Sequence, residues 1–171
     1  MTQNRGMGGH HNPVSDTDTW LTPPHILAAL GTFDLDPCAA PEPRPWPTAA
    51  RHYTWPKEDG LVLPYRGRLF VNPPYGPPAM VTPWLRRLAD HGMGTALIFA
   101  RTETEMFHRH VWERASALLF LEGRLFFCRP CGTAAKHNSG APSVLCAYGD
   151  DDAYVLKHCG LKGAFVDLRS C

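Results

Sequence analysis

Leu69-Phe70-Val71-Asn72-Pro73-Pro74-Tyr75 reads as a buried strand that stops abruptly at two prolines. The run from Gly67 to Val71 is short, opens on glycine, is apolar from Leu69 onward and β-branched at its end, and leads through Asn72 into proline. Pro73 and Pro74 lack N–H donors and have a fixed φ, so they hold a stiff extended turn. In open α/β sheets, ligands sit just beyond the carboxyl ends of strands. At that place Asn72 offers a side-chain oxygen, Pro73 a free backbone carbonyl, and Tyr75 a flat face for stacking.

Outward from this turn, helices and strands alternate. Met80 to Asp90 is a helix and Thr95 to Phe99 an apolar strand. Glu103 to Arg114 has helical character. Ala117 to Leu121, Leu125 to Phe127 and Val144 to Tyr148 are strands, Asp152 to His158 is a helix, and Ala164 to Val166 is a last short strand. On the amino side, Thr22-Pro23-Pro24 opens a helix, with Thr22 as N-cap and Pro23 at the first helical position. Gly31 ends it. Phe33 to Asp36 is a short strand stopped by Pro37. From Ala39 to Tyr65 the chain is loop-rich, with prolines at 41, 43, 45 and 47. A loop of that length in a compact domain is expected to carry function. Strands that alternate with helices and then crowd together predict an α/β fold, a mixed sheet with an antiparallel edge and helices on its faces. Residues 1–18 read as a flexible polar tail and 19–171 as a single domain, with no internal repeat.

Composition narrows the class. A chain of 171 residues suits one domain. Apolar residues at 44% can build a packed core, and charged residues at 19% argue against a disordered chain. The 17 basic and 16 acidic residues leave a net charge of +1, so any contact with nucleic acid must use a local patch. Of 17 prolines, twelve lie between Pro37 and Pro83, which excludes a helical bundle there. No apolar run approaches the roughly 18 residues of a membrane span. The first residues lack the hydrophobic segment of a signal peptide. Without one, Cys38, Cys128, Cys131, Cys146, Cys159 and Cys171 are expected as free thiols.

The groups around Asn72 suit one chemical problem. An exocyclic amine on a base, or an amide nitrogen, is a poor nucleophile because its lone pair is delocalised. Two acceptors, the Asn72 side chain and the Pro73 carbonyl, can bind its two N–H protons and favour a pyramidal nitrogen. Neither is a base at neutral pH, so catalysis would rest on positioning and electrostatics.

Asn72-Pro73-Pro74-Tyr75 resembles the catalytic motif of S-adenosylmethionine-dependent amino-methyltransferases. Asp34-Leu35-Asp36-Pro37-Cys38-Ala39 resembles their first cofactor motif, in which an acid at a strand end meets the methionine ammonium. Trp20-Leu21-Thr22-Pro23-Pro24 resembles the segment that closes over the same cofactor. With Ala100 to Thr104, Phe107-His108 and Gly123-Arg124-Leu125-Phe126-Phe127, the set is similar to phage and prophage Dam-type DNA N6-adenine methyltransferases. The similarity covers about Trp20 to Tyr148. It implies a compact Rossmann-like methyltransferase that moves a methyl group from S-adenosylmethionine to the amine of a flipped-out adenine. It also implies double-stranded DNA as partner, no membrane, no obligate protein partner, and the cytoplasm of a bacterial host. Asn72, Pro73, Pro74 and Tyr75 would be catalytic, and Trp20, Thr22, Pro23, Asp36, Pro37 and Asp59 would bind cofactor.

The chain departs from the family pattern in two ways. Asp36 is followed by Ala39-Ala40-Pro41-Glu42 rather than a glycine-rich turn, and only 35 residues separate Asp36 from Asn72. A shortened fold is implied, and Asp59, before Gly60, is either the acid for the cofactor ribose or a turn aspartate. Asp34 shares a strand face with Asp36 and is the alternative ammonium contact. Thr22 can be N-cap, contact to the cofactor carboxylate, or both.

Between Gly123 and Gly149 there is no carboxylate, whereas Arg124, Arg129 and Lys136 fall in that stretch. They are candidate DNA-phosphate contacts, or an ordinary solvated loop. Arg101, after the strand at the same face, is a fourth candidate, unless it pairs with Glu103. Cys128-x-x-Cys131 invites a zinc reading, but a structural site needs four ligands and only His137 and Cys146 are at hand. No metal is expected. Trp84 and Trp112, on amphipathic helices, are read as core. The alternatives keep the chemistry with another amine (cytosine N4, RNA guanine or protein glutamine), or make the chain a non-catalytic nucleic-acid-binding protein on a degenerate methyltransferase fold.

Overall fold

The computed structural model describes residues 19–169. The proposed tail at 1–18 lies outside them. The chain forms a seven-stranded mixed sheet with helices on both faces. In chain order the elements are α1 (Pro24–Leu30), β1 (Leu35–Asp36), β2 (Arg51–His52), β3 (Leu69–Val71), α2 (Pro78–His91) and β4 (Gly94–Phe99). Then come α3 (Glu105–Phe107), a π-helical turn (His108–Trp112), β5 (Ala117–Leu121), β6 (Ser143–Tyr148), α4 (Asp150–His158) and β7 (Gly163–Asp167). The strand order is β2-β1-β3-β4-β6-β5-β7. β2, β1, β3 and β4 run parallel, and β6, β5 and β7 add antiparallel pairs. The expected mixed sheet with an antiparallel edge is therefore present.

Burial explains the strand composition. Leu69, Phe70 and Val71 of the central β3 are fully buried, because helices cover both faces. One face packs Leu69, Val71, Ile98 and Val144 against Leu85 and Leu88 of α2 and Val111 of the π-helical turn. The other packs Phe70, Leu97, Leu119 and Leu145 against Ile26 and Leu30 of α1 and Leu156 of α4. At the amino end of β3, Arg68 Nε and Nη2 reach Asp152 Oδ1 at 3.0 and 2.9 Å, and Thr95 Oγ1 donates to the same oxygen at 2.7 Å. Arg68 Nη1 closes α1 by donating to the carbonyls of Leu30 and Thr32, each at 2.9 Å.

Several local expectations change. Thr22 is not the N-cap of α1: Pro23 takes that position with no side-chain cap bond, and Pro24 begins the helix. Gly31 ends it at φ 80°, as its lack of a Cβ allows. Leu125 to Phe127 form no strand. Leu125 and Phe127 are buried and Phe126 is exposed, which keeps strand-like alternation, but β5 already pairs with β6 and β7 and offers no free edge. The stretch ends in single antiparallel bridges, Leu21 to Cys128 and Cys128 to Ala134. The Glu103–Arg114 helix is reduced to α3, capped by the Thr104 hydroxyl, and the π-helical turn. β2 lies in the stretch read as loop; it is two residues long, too short to show alternation. Pro83 sits inside α2 without ending it; it cannot donate to the carbonyl of Ala79, and that residue is exposed, where water can take the donor's place. No helix among the described residues is long and apolar enough to cross a membrane.

Candidate active site

β1 and β3 are parallel neighbours, with Leu35 paired to Leu69. Their carboxyl ends therefore open side by side, and a cavity of about 480 Å³ lies there. That volume falls within the roughly 300–1,000 Å³ of small-molecule sites. Asn72, Pro73, Pro74 and Tyr75 line it from β3, and Asp36 and Pro37 from β1. Trp20 and Thr22 line it from the segment before α1, and Asp59 from the loop after β2. Candidates spread over 55 positions in sequence, from Trp20 to Tyr75, thus meet at one place. Pro23 is buried and does not line the cavity.

Asp36 is 3% exposed. Its Oδ1 accepts the Cys38 N–H at 3.0 Å, and the Thr48 hydroxyl donates a short bond to Oδ2. Burial outweighs these bonds and the more distant Arg44 charge, and raises its pKa from 3.8 to about 6. Asp34 is elsewhere engaged: its exposed carboxylate accepts the Arg68 N–H at 2.7 Å, and it does not line the cavity. The Cys38 thiol is pushed up strongly, first by burial and then by the charge of Asp36, against the Asn72 N–H that favours the thiolate.

Asn72 donates through Nδ2 to the Trp20 carbonyl at 3.2 Å and to Thr22 Oγ1 at 3.1 Å. The Tyr75 hydroxyl donates to Asn72 Oδ1 at 2.7 Å. The Tyr75 ring packs on Phe99 with centroids 4.4 Å apart and on Phe127 at 5.2 Å. Burial keeps its hydroxyl protonated.

The loop from 39 to 65 supplies much of the remaining wall. Trp46, Thr48, Trp55 and Glu58 come from it, none of them singled out in the sequence. The alternating prolines were their only signal. Trp46 Nε1 donates to the Thr22 carbonyl at 3.1 Å. His52 Nε2 accepts the N–H groups of Thr48 and Ala49 at 3.2 and 3.3 Å, so β2 holds the turn that presents Thr48 to Asp36. Partial burial lowers the His52 pKa, in keeping with a neutral acceptor. Asp59 lines the cavity and also forms an Asx turn, accepting the Leu61 N–H at 2.8 Å. Trp84 corrects the core reading in part: it packs against the α2-side core and also lines the cavity. Trp112 packs between Phe107 and Phe120.

The basic candidates lie outside this cavity. Arg101 is exposed and lines a second, much smaller pocket, to which Pro73 and Tyr75 also contribute. Arg124 and Lys136 are exposed and Arg129 half-buried on the loop between β5 and β6. Among the described residues, none of these four side chains has a hydrogen bond or ion pair. The loop adjoins the cavity through Leu21, which exchanges backbone hydrogen bonds with Cys128 at 2.8 and 2.9 Å. Cys128 is buried and Cys131 exposed at its turn, while Cys146 lies in the sheet. The described residues contain no group of three His, Cys, Asp or Glu placed to hold a metal ion. No protein-family model, curated protein or solved structure matches the chain.

Proposed function

We propose that this chain is a Rossmann-like, S-adenosylmethionine-dependent DNA methyltransferase acting on adenine N6. The observation that carries the reading is the pairing of two strand ends over one cavity. The acceptor-rich turn Asn72–Tyr75 and the buried carboxylate of Asp36 open into the same space. The residues fit the cofactor: Asp36 is a buried carboxylate with no ion-pair partner among the described residues, Arg44 of the same cavity acting on it only weakly, and a ligand ammonium would supply a partner. Asp59 can accept from ribose hydroxyls, and Trp20, Trp46, Trp55 and Trp84 offer aromatic faces to an adenine ring. When bound, S-adenosylmethionine supplies an electrophilic methyl group.

The chain's own part is to present the nucleophile. Asn72 Oδ1 and the Pro73 carbonyl accept the two N–H groups of the adenine amine and turn its lone pair towards the methyl donor. Tyr75, braced by Phe99 and Phe127, would stack on the base with the part of its ring that lines the cavity, and the base must leave the duplex to arrive. After transfer the surplus proton goes to water, so no general base is required. Arg101, Arg124, Arg129 and Lys136, which lie outside the cavity, would hold phosphates of the DNA backbone.

The test is expression of the full chain in a bacterium without DNA methylation of its own. Digested DNA is then analysed by mass spectrometry, with Asn72→Ala alongside. N6-methyladenine from the intact chain, reduced by about 100-fold or more in the variant, is the expected result. N4-methylcytosine would replace the acceptor base. Soluble protein that gives no modified base and no thermal shift with S-adenosylmethionine would overturn the reading in favour of a non-catalytic binding protein.

A further inference from the structure

We infer that Thr22 is a positioning residue, which together with the Trp20 carbonyl locks the side-chain amide of Asn72 so that Oδ1 faces the reacting amine. The inference rests on the amine-methylating reading above and deepens it. Asn72 Nδ2 lies 3.2 Å from the Trp20 carbonyl oxygen and 3.1 Å from Thr22 Oγ1. A backbone carbonyl has no proton to give, so the group that faces Trp20 must be the amide NH2. A flipped amide would set oxygen against oxygen. Both amide protons are then spent inside the protein, and Oδ1 is the one atom of the group left for a ligand.

Tyr75 marks where that ligand bond goes. Its hydroxyl donates to Oδ1 at 2.7 Å, so the acceptor already has a donor along one lone pair. A substrate N–H uses the other lone pair or displaces the tyrosine. The segment that carries the two acceptors is itself fixed. Thr22 is 1% exposed, Trp46 Nε1 donates to its carbonyl at 3.1 Å, and Leu21 is bonded in both directions to Cys128. Thr22 has therefore exchanged the expected helix-capping role for a bond to the residue that reads the amine.

Thr22→Val keeps the shape and removes the hydroxyl, and Thr22→Ser keeps the hydroxyl. Both are made in the full chain. Two quantities are read: the exchange rate of the Asn72 side-chain NH2 by 15N NMR, assigned through its loss in Asn72→Ala, and kcat at saturating S-adenosylmethionine and DNA. The valine variant is expected to speed exchange and to lower kcat by about tenfold or more, with KM for DNA little changed, and serine is expected to restore both. A valine variant with wild-type kcat at saturation overturns the inference, and a change confined to the cofactor KM would make Thr22 a cofactor contact only. If the wild-type chain makes no methylated base, the functional reading fails by itself. The NMR then decides alone: unchanged exchange in the valine variant overturns the lock, and faster exchange restored by serine sustains it. Should Thr22→Val not fold, Thr22→Ala is read in the same way.

Discussion

Asp36 sits where a charge is costly, and that sets a dependence on pH. Its carboxyl pKa rises from 3.8 to about 6 because it is buried beside Pro37 and Cys38. A raised carboxyl pKa means that the folded state holds its proton more tightly than the unfolded chain. The stability this group contributes is full below about pH 4 and is lost as pH rises through 6. Asp36→Asn removes the charge and keeps an acceptor for the Cys38 N–H. At pH 8 the ligand-free variant should be more stable than wild type by about 1–2 kcal/mol, with the gap closing towards pH 4, as read by urea denaturation. A ligand that brings an ammonium reverses the preference. Its affinity for wild type should rise through pH 6, and the variant should lose both the affinity and its slope, which calorimetry would show.

At the scale of elements, the loop between β2 and β3 approaches Pro37 and Trp84 closely at a residue without a side chain. Gly60 lies so close to the Pro37 carbonyl that a Cβ there would overlap it, with the Trp84 ring only 3.1 Å away. Arg87 of α2 fixes the same loop by donating to the carbonyls of Gly60 and Leu63 at 2.7 and 2.9 Å. Gly60→Ala should cost about 2 kcal/mol or more of stability, since the loop carrying Asp59 and part of the cavity wall must move, and, if the proposed cofactor S-adenosylmethionine binds there, should weaken its binding. A variant with wild-type melting temperature and affinity would show that the loop yields freely. Most elements were legible from apolar runs and their proline or glycine bounds, as with Leu69–Val71 or α4. The misreadings share a cause. Leu125 to Phe127 has the alternation of a strand but no ladder to join, and Arg51–His52 joins a ladder without any alternation. Thr22 has the chemistry of a cap, yet Asn72, 50 positions away, takes its hydroxyl.

Over the whole molecule, charge is nearly balanced at +1, so a polyanion must find a local surface. The loop from 122 to 139 provides Arg124, Arg129 and Lys136 next to the segment that walls the cavity. If these side chains neutralise phosphates, the double variant Arg124→Ala/Arg129→Ala should weaken binding to any DNA duplex. It should also flatten the plot of log affinity against log salt by about 2. An unchanged slope would mark the loop as ordinary solvated surface.

The sequence by itself determined the alternation of helices and strands, the mixed sheet, and the stiff acceptor turn at Asn72–Tyr75, because these depend on periodicity, proline and local sterics. It also pointed to Asp36 at a strand end. Tertiary structure alone decided that Trp46, Thr48 and Trp84 share a cavity with these residues, that Asp34 does not line it and accepts the Arg68 N–H instead, and that Thr22 serves Asn72 rather than its own helix. The reason is that β1 and β3 become neighbours only when the sheet assembles. The hydrogen bonds that orient Asn72 cross 50 and 52 residues of chain, a distance over which local pattern carries no signal.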